Sequence, residues 1–145
     1  MLTCATVYMG EYKSSNSMII KALREGLGRV IIFVDFLTRP GKIVRSESEQ
    51  ASVIERASGL SLYQFYACPF CVRTRRAIHR LNIPIHFRDA QNSQRYRAEL
   101  LNEGGKIKVP CLRIEEKGKT TWMYESADII AYLNTCFDAA DCSVA

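Results

Sequence analysis

No internal repeat and no low-complexity tract runs through the 145 residues, so a repeat array and a disordered chain are both set aside. The length suits one ordinary domain with an appendage, and a second full enzymatic domain is not expected within it. Histidine is scarce: His79 and His86 lack the spacing of a zinc motif, which leaves any cysteine pair short of two ligands. The six cysteines, Cys4, Cys68, Cys71, Cys111, Cys136 and Cys142, lack the spacing of a secreted disulfide framework, and a reducing, cytosolic compartment is the simpler expectation. The basic residues lack an interleaved aromatic platform on which bases would stack, so the net charge of +5 does not point to nucleic acid. Most of that excess lies between Met18 and Arg45, where six basic residues stand against Glu25 and Asp35. With 48% hydrophobic and 24% charged residues, a buried core is expected.

Long uninterrupted apolar runs are missing too. Residues 1–17 carry no sustained period and read as a flexible extension, with Met1 and Met18 both candidate starts. From Met18 to Leu37 a 100° wheel gathers Lys21, Arg24, Glu25, Gly28, Arg29 and Asp35 on one side. Ile19, Ile20, Leu23, Leu27, Val30, Ile31, Phe33, Val34 and Leu37 fill the other, and Pro40 and Gly41 stop the helix. Charges inside the span, each costing about 2.5–3.5 kcal/mol near a bilayer centre, weigh against crossing a membrane. A helix lying in the interface at the inner face of a membrane fits better. The alternatives are an apolar face packed on the protein's own core or on a second subunit. Ser46, three residues before Glu49, makes a capping box that opens a helical linker ending at Gly59. Residues 18–58 are thus amphipathic helix and linker, and 59–145 a compact domain.

In that domain, residues 60–67 read as a buried strand and 69–81 as an amphipathic helix with Arg73, Arg76 and Arg80 left to water. Residues 83–90 form a second strand, and 93–105 a second helix with a glycine stop. "VPCLRIEE" and "TTWMYE" straddle "KGK" as a hairpin, and a closing helix follows with Ser126 as N-cap. The order β-α-β-α-β-β-α predicts an α/β fold, one four-stranded mixed sheet flanked by helices, its first two strands parallel.

The chemistry begins at "CPFC", residues 68–71, on the strand-to-helix junction. Cys68 sits where backbone N–H groups lack intrahelical partners, so its thiolate is favoured there, and only a thiolate attacks a disulfide. Pro69 suits the first turn, Phe70 caps the loop, and Cys71, one turn on and expected to be more buried, is placed to resolve a mixed disulfide. Two buried cysteines without a role, or half of a zinc site, are the competing readings.

"CPFC", then "KVP" (108–110), then "YESADII" (124–130) together resemble the glutaredoxin family, within the thioredoxin fold, over about residues 60 to 137. The resemblance implies glutathione as cofactor, disulfide-containing proteins as substrates and a cis Val109–Pro110 bond. Val109 would offer its backbone to the cysteinyl part of glutathione, and Pro110 would hold the loop open beside Cys68. The "ESADI" turn is similar to that of glutathione transferase N-terminal domains, which implies that Glu125 and Ser126 hold the γ-glutamyl amine and carboxylate, with Asp128 assisting. Lys106 would meet the glycine carboxylate, or stand as a solvated lysine. Phe70 and Lys108 depart from the usual Tyr and Thr, and "LYQFYACPFC" also resembles the glutaredoxin-like domain of prostaglandin E synthase type 2. Cys111 is either a core residue or an extra redox-sensitive thiol. A glutathione-dependent thiol–disulfide oxidoreductase is expected; a glutathione-ligated iron–sulfur carrier and a transferase-like domain are the alternatives.

Overall fold

The computed structural model describes residues 12–138, with side chains from Met18 onward except those of Lys21 and Arg24. The expected extension therefore lies, up to residue 11, outside the described residues. In chain order the elements are α1 (Tyr12–Leu37), α2 (Glu47–Ala57), β1 (Leu60–Gln64), α3 (Pro69–Arg80), β2 (His86–Asp89), α4 (Gln94–Asn102), β3 (Cys111–Glu116), β4 (Lys119–Met123) and α5 (Ser126–Phe137). The helix expected from Met18 starts at Tyr12.

The sheet runs β2-β1-β3-β4, with β1 parallel to β2 and antiparallel to β3, and β3 antiparallel to β4. Strand alternation splits the side chains between two faces. Leu60 and Leu62 of β1 and Leu112 and Ile114 of β3 meet Ile78, Leu81, Ile129, Leu133 and Phe137 of the α3–α5 layer. Tyr63, Ala90, Leu100 and Cys111 fill the opposite face, beneath Tyr96 and Trp122. A fully buried Leu, such as Leu62 or Leu133, contributes about 1.5–3 kcal/mol relative to exposure. The hairpin turn is shorter than the "KGK" reading. Lys117 and Gly118, at φ 49° and 78°, make it alone, because a two-residue loop with both φ values positive matches the strand twist, and Lys119 joins β4.

The segment read as a linker is part of the core. The Ser46–Glu49 capping box is present, and Val53 and Ala57 of α2 are buried against the main cluster. Arg45 donates to the carbonyls of Leu81 and Phe137, placing one cation at the C-terminal ends of α3 and α5. Arg76 and Arg80, expected in water, are half-buried instead: Arg76 donates to Asp35 and Thr38, Arg80 to Asn134 and Asp138. The carboxylates and carbonyls they meet lie on elements distant in sequence.

On α1 the contact face is the reverse of a simple amphipathic expectation. Gly28 and Asp35, counted with the polar side, face the domain. A Cβ added at Gly28 would fall 2.9 Å from the Ala67 Cβ, so glycine allows the close approach. Asp35, 7% exposed, sits between Arg39 and Arg76 at 3.2 Å from each. Because Gly28 meets the residue before Cys68 and Asp35 meets Arg76, α1 and α3 run in the same direction. Ile20, Leu23, Leu27, Val30, Phe33 and Leu37 remain exposed. Among the described residues no helix is long and apolar enough to cross a membrane.

Candidate active site

Register alone brings three sequence-distant segments to one end of the sheet. Tyr63, near the end of β1, pairs with Cys111, the first residue of β3, and Leu112 pairs with Met123, the last residue of β4. The loop leading to Cys68, the Val109–Pro110 peptide and the Glu125–Ser126 turn therefore emerge side by side.

Cys68 takes the N-cap position of α3 with extended backbone (φ −74°, ψ 124°), and its carbonyl already accepts from Val72 N–H at 2.9 Å. Pro69 follows at the first helical position, where its missing N–H is not needed. Cys68 is partly exposed; Cys71 is completely buried. Both are free thiols. Burial pushes the Cys71 thiol up to about 12, its hydrogen-bonded neighbour Cys68 adds to the rise, and a backbone hydrogen bond at Phe65 and the charge of Arg75 oppose it. Phe70 and Tyr66 stand open beside the pair, 60% and 56% exposed.

The Val109–Pro110 peptide is cis, as the family resemblance implies, and Pro110 is buried. Directly behind it Cys111 is fully buried, and burial pushes its thiol up to about 12, against a Tyr124 hydrogen bond and the Lys106 charge. That is the core alternative of the two open for Cys111. The closing turn differs from expectation. Glu125, not Ser126, is the N-cap residue of α5; it lies at φ 47°, ψ 116° and makes no side-chain cap. The positive φ swings the chain from β4 directly into helical geometry, so Ser126 enters as the first helical residue. Glu125 pairs with Lys108, whose hydrogen bond and charge hold its carboxyl below the usual range, and this pair joins the proline loop to the turn. Asp128 is exposed in the first turn of α5.

Two residues near the site had no role assigned to them from the sequence. Tyr124 donates to the Gly104 carbonyl at 2.7 Å, and the Lys106 ammonium lies 4.4 Å from its ring centre, which fixes the loop bearing Lys106. Arg75 donates to Gln64 Oε1 at 2.7 Å and the Tyr66 carbonyl at 2.9 Å while lying over the Tyr66 ring, thereby pinning the segment before Cys68. A helical arginine every few positions reads as a solvated face; only the folded β1–α3 connection supplies these acceptors.

A parallel-first mixed sheet with helices on both faces and a cis-proline loop beside a helix-capping cysteine defines a thioredoxin-like α/β domain. Residues 62–140, more than half of the chain, match the glutathione S-transferase N-terminal domain family, and the chain belongs to that family. Among solved structures it is similar to glutathione transferase Omega 3C from Trametes versicolor, with 22% identity and a TM-score of 0.44, over 67% of this chain and 42% of that one. The chain thus spans less than half the length of that transferase. No curated protein matches it.

Proposed function

We propose that this domain is a glutathione-dependent thiol–disulfide oxidoreductase of the glutaredoxin type, with Cys68 as the attacking thiol. The observation that carries the reading is the half-open Cys68 at a helix start, over a buried Cys71, at the sheet end where the Pro110 loop and the Glu125–Ser126 turn emerge. In this reading Cys68 Sγ, as thiolate, attacks the glutathione sulfur of a mixed disulfide. A Cys68–glutathione disulfide forms, and the substrate leaves as a thiolate that takes a proton from water. A second glutathione thiolate then attacks the glutathione sulfur of that disulfide, releasing oxidised glutathione and restoring the Cys68 thiolate. Resolution by Cys71 instead yields a Cys68–Cys71 disulfide and free glutathione; burial holds the Cys71 thiol up, which disfavours its thiolate and so weighs against this route.

In the bound tripeptide, Val109 would pair with the cysteinyl backbone. Ser126 would take the γ-glutamyl carboxylate at the start of α5, and Glu125 its ammonium with help from Asp128. Lys106 would meet the glycine carboxylate, with Phe70 flanking the thiol. The ammonium would then compete with Lys108 for Glu125.

In an assay with glutathione and a glutathionylated peptide, Cys68→Ser is expected to lose at least about a hundredfold in turnover, whereas Cys71→Ser keeps most of it. Full turnover by Cys68→Ser sinks the assignment. The family match favours one second reading, conjugation of glutathione to small electrophiles; conjugation of a chlorodinitrobenzene without disulfide turnover would select it.

The exposed apolar face of α1, beside Arg29, Arg39 and Lys42, supports peripheral attachment to an anionic bilayer surface, and cysteine spacings unlike a secreted disulfide framework favour the cytoplasmic side.

A further inference from the structure

Away from the cysteine site, a cavity of about 360 Å³ opens between the end of α1, α2, α3 and the segment entering β2. Neither Cys68, Val109, Glu125 nor Ser126 lines it. Asp35, Arg39, Lys42, Gln50 and Ile54 build one wall and precede the family match; the other wall, Arg75 to Phe87, lies within it. The size of the cavity falls within the range of about 300–1,000 Å³ typical of small-molecule sites.

Two kinds of surface meet there. Ile54, Ile78, Ile83, Pro84 and Phe87 give an apolar floor, of which Ile54 and Phe87 are 52% and 46% exposed. Arg39, Lys42, Arg75 and Arg76 give a cationic rim against the single carboxylate of Asp35. That carboxylate is already shared by Arg39 and Arg76, and Arg75 donates only to neutral acceptors, Gln64 Oε1 and the Tyr66 carbonyl. The rim therefore keeps a surplus of positive charge over an apolar floor.

We propose that this groove binds a free amphipathic monoanion, a carboxylate on an apolar body of medium-chain length. The anion meets Lys42 and Arg39 at the rim and the body lies over Ile54, Ile83 and Phe87. Charge alone would not need the floor, and an apolar ligand alone would not need the rim.

Decanoate, decanol and acetate titrated into the full chain, followed by amide chemical shifts below the micelle range, test this. Decanoate is expected to move the amides of His79, Ile83 and Phe87, and decanol and acetate to bind at least about tenfold more weakly, since one loses the charged contact and the other the buried chain. Lys42→Glu and Ile54→Asp, both at exposed positions, are each expected to weaken decanoate about tenfold or more without altering turnover at Cys68. Equal binding of decanol and decanoate, shifts confined to Leu23, Leu27 and Phe33 of α1, undiminished binding by both variants, or affinity for anionic vesicles only would each overturn the proposal. The alcohol comparison and the shift map stand even if one variant fails to fold.

Discussion

At the residue scale, two cysteine thiols and one glutamate set the behaviour of the site. Cys71 and Cys111 are both pushed from 9.0 up to about 12 by burial. At pH 8 iodoacetamide is therefore expected to label Cys68 well ahead of either, which peptide mass mapping would show; comparable labelling of Cys71 contradicts the burial argument. The sign of the linkage follows. These groups are held neutral in the fold, so their contribution is fully present below pH 9 and is lost as pH climbs through the window from 9 to 12. Urea midpoints measured across that range should fall, and Cys111→Ala should flatten the decline. Glu125 is the other case. A non-glycine residue at φ 47° is strained, and strained backbone persists where function fixes it. Glu125→Gly is expected to raise the urea midpoint while raising the KM for glutathione about tenfold, through loss of a charged contact; unchanged KM would remove Glu125 from the tripeptide site. The Cys-Pro-Phe-Cys pair stood out by its spacing at a strand-to-helix junction, and the Val-Pro and Glu-Ser pieces by family resemblance; the fold brings the three segments to one sheet end. Arg75 and Tyr124 did not stand out, since their acceptors are carbonyls that only the folded loops bring near.

At the element scale, the order of strands and helices along the chain and the parallel pairing of the first two strands followed from periodicity and capping residues: Ser46 with Glu49, Pro69 after Cys68, the glycine of the hairpin. Boundaries moved where tertiary geometry outranked propensity. The first strand stops at Gln64 because residues 65–67 turn toward Cys68, and Ser126 is not the cap because Glu125 turns the chain first. The orientation of α1 was hidden for a stronger reason, since an apolar face is normally the packed one. Here Asp35 holds the helix by its polar side, through Arg76 of α3. Asp35→Ala leaves Arg76 without its charged partner. Its expected result is early hydrogen exchange along α1, at least about tenfold faster than in the native chain, while β1 and β3 keep their protection. Uniform loss of protection would mean that α1 is integral to the global unfolding unit.

At the scale of the whole molecule, a thioredoxin-like domain carries two surfaces to which the segment before its family match contributes: the exposed apolar side of α1 and the cationic groove beneath its end, whose other wall lies within the match. The first makes a direct prediction. The chain should co-sediment with phosphatidylserine-containing vesicles, and Leu27→Asp with Phe33→Asp should release it; partition unchanged by both substitutions would rule out the anchor. Neither surface could be separated from the core by pattern alone, because the burial of α2 and the reversal of α1 depend on contacts with α3 and α5.

The central claim is that Cys68 exchanges with a glutathione disulfide. The most direct measurement is to mix Cys71→Ser with oxidised glutathione, quench with acid and locate the adduct by mass spectrometry. One glutathione on Cys68, absent when Cys68 is also replaced, is the predicted result; an adduct on Cys111 or Cys136 instead, or none while turnover continues, would contradict the account.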